Sequence, residues 1–392
     1  MKENEHILFG QKERNSNLEL LRIISMVLIV MSHSDDWMGL AKTYQTTVCV
    51  NKFITDWLHL GGQIGVGCFL LISGYFMVNQ QITLKKILRL WGEVLFYSIS
   101  VWIVYAVVKL CAGSDVSFFS LQTIKAFFPV LFTHYWFVTA YIILMILSPF
   151  FNKLISIMDK HLYQALLTAL IVIFILFDGG IPGVLDDMSE GRLIPVFIIY
   201  FIAGYIKKYD DSSKNNAKKH FGVAILGYIL LYGTFIGVGI IGDILNSEMI
   251  IKQCYFWRPL HSPIVLIINV ELFLAFLRMR FKKSKKINAI ASNTLGVYLI
   301  HSHQIIENLV LPKIFPVYKE TNSLRLLVYS IGSVAIVYIV CTIIDMIRQR
   351  TVEKIWVRFL DKHINKFEKK SVIVIKKTSQ KVMSLLNRFY NE

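Results

Sequence analysis

Asn17-Leu-Glu-Leu-Leu-Arg22-Ile-Ile-Ser-Met-Val-Leu-Ile-Val-Met-Ser-His33 is an almost unbroken apolar run with a cation toward one end and an imidazole at the other. A membrane-spanning helix needs about 20 mostly apolar residues, and this stretch is the first of ten candidates. They are Leu18–Ser32, Gly62–Val78, Val94–Leu110, His134–Phe151, Leu162–Phe177, Leu193–Ile206, Phe221–Gly242, Pro259–Leu277, Ile287–Ile306 and Leu326–Ile344. The sixth is short and the ninth carries several polar residues. Composition agrees with this pattern. Of 392 residues, 55% are apolar and 17% are charged, whereas a soluble domain has about 25% charged residues. The expected fold is therefore an all-α integral membrane protein of about ten spans.

The net charge of +16 does not imply nucleic acid, because no basic face is interleaved with stacking aromatics. Lys and Arg instead concentrate in alternate connections. These hold Lys85, Lys86 and Arg89; Lys153 and Lys160; Lys207, Lys208, Lys214, Lys218 and Lys219; and a run from Arg278 to Lys286. The other connections carry fewer, and Asp178–Arg192 is acidic. Both termini are expected in the cytoplasm. The expected division is a cytoplasmic segment over 1–17, a membrane domain over 18–346, and a basic amphipathic tail over 347–392 suited to an anionic inner leaflet. Glu3, Glu5 and Glu13 argue against a removable signal peptide. The five cysteines, Cys49, Cys68, Cys111, Cys254 and Cys341, contain no C-x-x-C pair, so neither a disulfide framework nor a structural zinc is expected.

Ionisable groups at membrane depth are functional candidates by default. Eleven residues separate Arg22 from His33, which leaves them about 20° apart around a helix and some 16 Å apart along it. They share one cavity wall but cannot touch, with Arg22 toward the cytoplasm. Glu19, three residues before Arg22, is its natural ion-pair partner. The second span reads Gly61-Gly-Gln-Ile-Gly-Val-Gly-Cys-Phe-Leu-Leu-Ile-Ser73-Gly74-Tyr75-Phe76. Its glycines lack the context of a dinucleotide site and suit close helix packing. Ser73-Gly74 would allow a kink or narrow passage.

Arg22-(ten residues)-His33 resembles the R/K-x10-H motif of the acyltransferase-3 family of integral-membrane acyltransferases. Cys68-Phe-Leu-Leu-Ile-Ser-Gly-Tyr75 is similar to that family's second-span segment, with Cys68 where phenylalanine is usual. Lys86-Ile-Leu-Arg89 resembles its R-x-x-R motif, with lysine in the first place. Tyr135-Trp136-Phe137 and Gly296-Val-Tyr-Leu-Ile-His301 resemble later segments, so the likeness covers residues 15–345.

The resemblance implies transfer of an acyl group, acetyl above all, from cytoplasmic acyl-CoA to a hydroxyl of an extracytoplasmic polysaccharide or its lipid-linked precursor. It implies His33 as base or as carrier of a covalent acyl group, both of which the sequence admits. Arg22, Lys86, Arg89 and the Ser73-Gly74-Tyr75 segment would hold the donor. No bound cofactor is implied; acetyl-CoA, or another donor such as succinyl-CoA, is a substrate. Glu19, Trp136, Tyr141, Glu271 and His301 are supporting or acceptor-side candidates. Glu271 would orient a histidine or the acceptor, or pair with Arg22. His134, His261, His301 and His303 lie at similar depth, but only the last two are close in sequence and i, i+2 faces diverge, so no metal is expected. Expected partners are membrane lipids, the glycan acceptor and polysaccharide assembly proteins. The abundance of Ile, Lys and Asn points to a bacterial plasma membrane. The alternative is a transporter or flippase for a lipid-linked saccharide or proton-coupled solute. Matching inverted halves, common in transporters, are not found in the sequence.

Overall fold

Each long apolar run becomes helix because, in lipid, a helix satisfies its backbone polar groups internally. The computed structural model describes residues 15–44, 46–118, 120–132, 135–177, 193–210, 216–279, 282–316, 322–368 and 380. Every regular element among them is helical. The long helices are α1 (Ser16–Met38), α3 (Val50–Met77), α4 (Leu84–Cys111), α6 (Trp136–Ile157), α7 (Lys160–Phe177), α8 (Leu193–Tyr209), α9 (Ala217–Ile244), α11 (Pro263–Arg278) and α15 (Ser323–Arg350). Shorter pieces are α2 (Leu40–Thr43), α5 (Leu121–Phe127), α10 (Glu248–Lys252), α12 (Lys285–Ala291), α13 (Thr294–His301) and α14 (Leu311–Ile314). A last helix, α16, covers 352–368.

Among the described residues, six helices are long and apolar enough to cross a membrane: α1, α3, α4, α6, α9 and α15. Their outward faces are apolar rather than charged. Ile103, Val104, Val107 and Val108 on α4 are exposed, as are Ile225, Leu226, Ile229 and Leu230 on α9 and Ile336, Ile339, Val340 and Ile343 on α15. Such a surface would aggregate in water and is at home in hydrocarbon. This is a multi-pass, all-helical membrane protein.

Three expected boundaries move. The ninth run, Ile287–Ile306, is not one span but α12 and α13 with a break between them, followed by a π-turn at Ile306–Val310. The break is chemical. The Asn293 amide donates back to the Ala289 carbonyl at 2.6 Å, and the Thr294 hydroxyl donates to Ala291 at 2.9 Å. These local bonds compete with the helical ladder. The eighth run starts as helix only at Pro263, so Pro259–Ser262 is a turn. The membrane helix α15 runs to Arg350, past the expected boundary at 346. His134, Lys214, Arg280, the segment before Asn15, the acidic connection Asp178–Arg192 and most of the chain beyond Glu368 lie outside the described residues.

The center of the bundle is α3, buried along most of its length. α1 lies directly against it because α3 presents no side chains at the crossing. A Cβ on Gly62 would run into the Ser32 hydroxyl, one on Gly65 into the Ser25 carbonyl, and one on Gly61 into Leu28. The small-residue packing expected from the sequence is thus the α1–α3 contact itself. Gly67 faces the other way, where its missing side chain leaves room for Asn269 of α11.

Charged groups at the Arg22 end of the bundle pair with one another. Arg348 of α15 is buried against Asp345 (2.7 Å), Glu93 of α4 (2.9 Å) and Glu353 of α16 (3.1 Å). The Tyr97 hydroxyl donates to Asp345 at 2.7 Å. α16 docks on α4: the Trp356 indole sits in the space over Gly92 and donates to the Leu88 carbonyl at 3.1 Å. Lys85–Asp361 and Arg89–Glu353 reinforce the contact. Its apolar residues Ile355 and Phe359 are exposed.

Gly65→Ala is expected to destabilise the protein by about 1–3 kcal/mol, the usual cost of overpacking, because backbone cannot yield as a side chain can. Gly233→Ala on α9, whose Cβ meets open space, should be neutral or slightly stabilising. Thermal unfolding of the two purified variants in detergent, read beside wild type, tests the contrast.

Candidate active site

α1 carries both ends of the site. Its start is set by the Asn15 side chain, which accepts from the Asn17 N–H. It stops at Met38, where Gly39 adopts φ +67° and its N–H caps the Asp35 and Asp36 carbonyls. A positive φ of this kind suits glycine. His33 therefore lies just over one turn before a rigid helix end.

His33 does not stand alone. Its Nδ1 is 3.0 Å from Nε2 of His301, the last residue of α13. The Ser302 hydroxyl is within 3.3 Å of the first ring nitrogen and 3.2 Å of the second. His301 is fully buried, and its Nδ1 is 2.6 Å from the Val297 carbonyl. That carbonyl can only accept, so His301 Nδ1 carries the proton and its Nε2 is the acceptor. It follows that His33 Nδ1 donates to His301, and that His33 Nε2 keeps its lone pair free. α13 is held in turn by the Tyr135 hydroxyl, which donates to the Leu299 carbonyl at 3.0 Å. The edge of Trp37 lies against the His301 ring.

A cavity of about 340 Å³ opens at His33. Ser32, His33 and Asp36 of α1, His59 and Gln63 of α3, Trp136 of α6 and the turn Arg258–His261 contribute to its wall. A second cavity, of about 220 Å³, opens at Arg22 and is lined by Phe69, Ser73, Leu90, Tyr141, Ser292, Thr294 and others. Between them is a throat of about 20 Å³, enclosed by Met26, Ile29, His33, Phe69, Trp136, Phe137, Leu295 and Tyr298, room for roughly one water. The throat shares His33 and Trp136 with the first cavity and Phe69, Phe137 and Leu295 with the second. The spaces follow α1 from one functional end to the other.

Arg22 pairs with Glu19 at 3.0 Å, as the i, i+3 spacing suggests, and its guanidinium lies over Phe69 at 5.8 Å. Its Nε is buried without a hydrogen-bond partner among the described residues. Ser73 and Tyr141 join Arg22 at the second cavity, and Trp136 lies at the first and at the throat.

Other candidates sit elsewhere. Arg89 points to Glu353 and Lys86 to Gln80 and the Gln81 carbonyl, and neither reaches the Arg22 cavity, which α4 touches through Leu90. Gly74 packs on Ala203 and Tyr200 of α8. Tyr75 meets Phe76 edge to face and Phe273 at a tilt, beneath the Lys207 ammonium. Glu271 does not pair with Arg22. It holds His220 at 2.6 Å, beside the Arg278 contacts to His220, Asp210 and Asn216. Glu271 does orient a histidine, but one remote from His33. Ser302, Arg258 and the Asp35–His59 pair (3.2 Å) had no signal in the sequence. They come from separate segments and meet only in the fold.

A model of the acyltransferase-3 family, described as an acyltransferase domain, matches residues 15–343, and the chain belongs to that family. Searches of the curated proteins and of the solved structures find no match.

The hydrogen-bond chain makes a spectroscopic prediction. In protein labelled with nitrogen-15 histidine, His33 is expected as the Nδ1–H tautomer with a bare Nε2 at neutral pH. His301→Ala should remove that preference while leaving the fold intact. A wild-type His33 protonated at Nε2 would contradict the arrangement.

Proposed function

We propose that this member of the acyltransferase-3 family transfers an acyl group, acetyl above all, from cytoplasmic acyl-CoA to a hydroxyl of an extracytoplasmic polysaccharide or its lipid-linked precursor. The chain would lie in a bacterial plasma membrane with both termini in the cytoplasm, so that the Arg22 cavity faces inward and the His33 cavity outward. The observation that carries the reading is the series of spaces along α1 joining the two.

A polyanionic donor cannot cross lipid. Its polyphosphate would remain at the cytoplasmic surface in the positive field of Lys86, Arg89 and the tail. The uncharged thioester arm would enter the narrow cavity, where Arg22 Nε and the hydroxyls of Ser73, Tyr141, Ser292 and Thr294 offer partners for its amides. The throat would hold the thioester carbonyl beside His33. On the other side, an acceptor hydroxyl gives its proton to His33 Nε2. Its oxygen then attacks the thioester carbon, the C–S bond breaks, and the thiolate leaves to take up a proton. His301 would fix the His33 tautomer and stabilise the imidazolium as it forms, the role a histidine's orienting partner usually plays. Closure of the throat by aromatic and aliphatic side chains would keep water from competing for the thioester. A succinyl group would need only a larger or more polar throat.

The test compares surface glycans from cells expressing wild type, His33→Ala and Arg22→Ala at equal membrane abundance, by mass spectrometry before and after mild base. The base is worth about 10²–10⁴ in rate. A base-labile increment of one acetyl or succinyl mass should therefore be present with wild type and lost with His33→Ala, and reduced or lost with Arg22→Ala. Identical unacylated glycan in all three, with altered surface export, would replace the enzyme by a transporter.

A further inference from the structure

The His33 cavity contains a cation that forms no ion pair among the described residues. Arg258 lies in the turn before α11, and among the described residues lining the cavity it is the sole Lys or Arg. Its guanidinium makes no ion pair among the described residues, although every buried carboxylate nearby has a partner. Asp56 is fully buried and takes Lys52 at 3.1 Å and the Tyr255 hydroxyl at 2.7 Å. Asp35 is buried and faces His59 at 3.2 Å. Asp36 lines the same cavity but is exposed to solvent, and it and Asp35 act on Arg258 through space without an ion pair.

What surrounds Arg258 holds it in position. The Tyr255 phenol is held between Asp56 and Lys52, whose ammonium donates to it at 3.3 Å. The Arg258 N–H donates to the Tyr255 carbonyl at 3.0 Å, and the guanidinium rests 5.7 Å from the Tyr255 ring centroid. Lys52 and Asp56 are buried on α3, so the support is tied to the same helix that carries His59 and Gln63. A fixed planar fork with free donors is the usual means of gripping a carboxylate or phosphate in two places. When an acceptor fills the cavity and displaces water, a neutral molecule would leave this charge buried and unpaired, which is costly.

We infer that the acceptor is anionic: it carries an oxyanion, a carboxylate or a phosphate, that Arg258 binds while the hydroxyl to be acylated lies at His33. Trp136, which lines the same cavity, supplies an apolar face for the sugar ring. Arg258 is thus a specificity-determining residue, and the assignment rests on the acyltransferase reading above.

The test uses the full-length protein in lipid nanodiscs with acetyl-CoA and three acceptors: methyl β-glucoside, methyl β-glucuronide and methyl glucoside 6-phosphate. Ester formation is read by mass spectrometry and thiol release by colorimetry. Wild type should prefer one of the two anionic acceptors to the glucoside by about tenfold or more in kcat/KM, the worth of a charge-assisted contact. A glucuronide preference identifies a carboxylate and a 6-phosphate preference a phosphate. Arg258→Gln should abolish the preference through KM, the anionic acceptors falling to the level of the glucoside. Arg258→Lys should restore part of it, and Asp36→Asn should leave it in place. Equal use of all three acceptors by wild type, or an equal fall on all three in Arg258→Gln, would overturn the inference. Ester formation with any of the three acceptors, dependent on His33, separates the two readings. Its persistence in Arg258→Gln keeps the acyltransferase whichever way the acceptor preference falls, whereas no ester and no thiol release from wild type with any acceptor would refute the enzyme itself.

Discussion

The contact between α1 and α3 is the constraint on which the rest of the site depends. Three glycines, Gly61, Gly62 and Gly65, let the α1 backbone lie where side chains would otherwise stand. Without a hydrophobic driving force between helices in lipid, such close van der Waals contact is what holds two spans together. Because α1 is one continuous helix with a fixed end at Gly39, fixing it against α3 sets Arg22 and His33 at once. The cavities are what remain between this pair and the facing helices α6 and α13. A shift of α1 by the width of a methyl group would move both functional ends together.

The second constraint is the cost of polarity at membrane depth. The bundle meets it by pairing: Lys52 with Asp56, Arg348 with Asp345 and Glu93, Arg22 with Glu19. Breaking one partner of a buried pair costs about 3–5 kcal/mol; Arg348–Glu93 also ties α15 to α4, whereas the other pairs lie within one helix. The break at Asn293 fits the same logic, since irregular backbone within a membrane protein is tolerated where it is buried in protein or lines a cavity. It lets α13 end at His301, where two imidazoles can meet. A continuous helix through Ile287–Ile306 would not have presented His301 and Ser302 together to His33.

Much of this was legible in the sequence, and the reason is periodicity. The apolar runs, the common face of Arg22 and His33, the Glu19 pairing and the glycine packing are local patterns, set by residues within a few turns of one another. What was not legible depends on distant segments meeting. His301 appeared as one outer histidine among four, and its contact with His33 spans 268 positions. Lys86 and Arg89 read as donor ligands because they lie at the correct end of α4, yet the rotation of that helix, fixed by Trp356 over Gly92, turns Arg89 to Glu353. Glu271 read as orienting a histidine or the acceptor, or as pairing with Arg22, and the histidine it holds is His220 of α9. Depth follows from counting residues along a span; azimuth follows only from packing.

The central claim is that donor and acceptor meet across the membrane, at opposite ends of the path along α1. Sealed vesicles of one orientation, carrying the cell's own surface glycan on the His33 face, allow a direct measurement. Radiolabelled acetyl-CoA is supplied only on the Arg22 face, and an impermeant esterase is added on the other. Base-labile label in the glycan, released by that esterase, is the predicted result. Label that reaches the glycan only when acetyl-CoA is supplied on the glycan's own face would contradict the account.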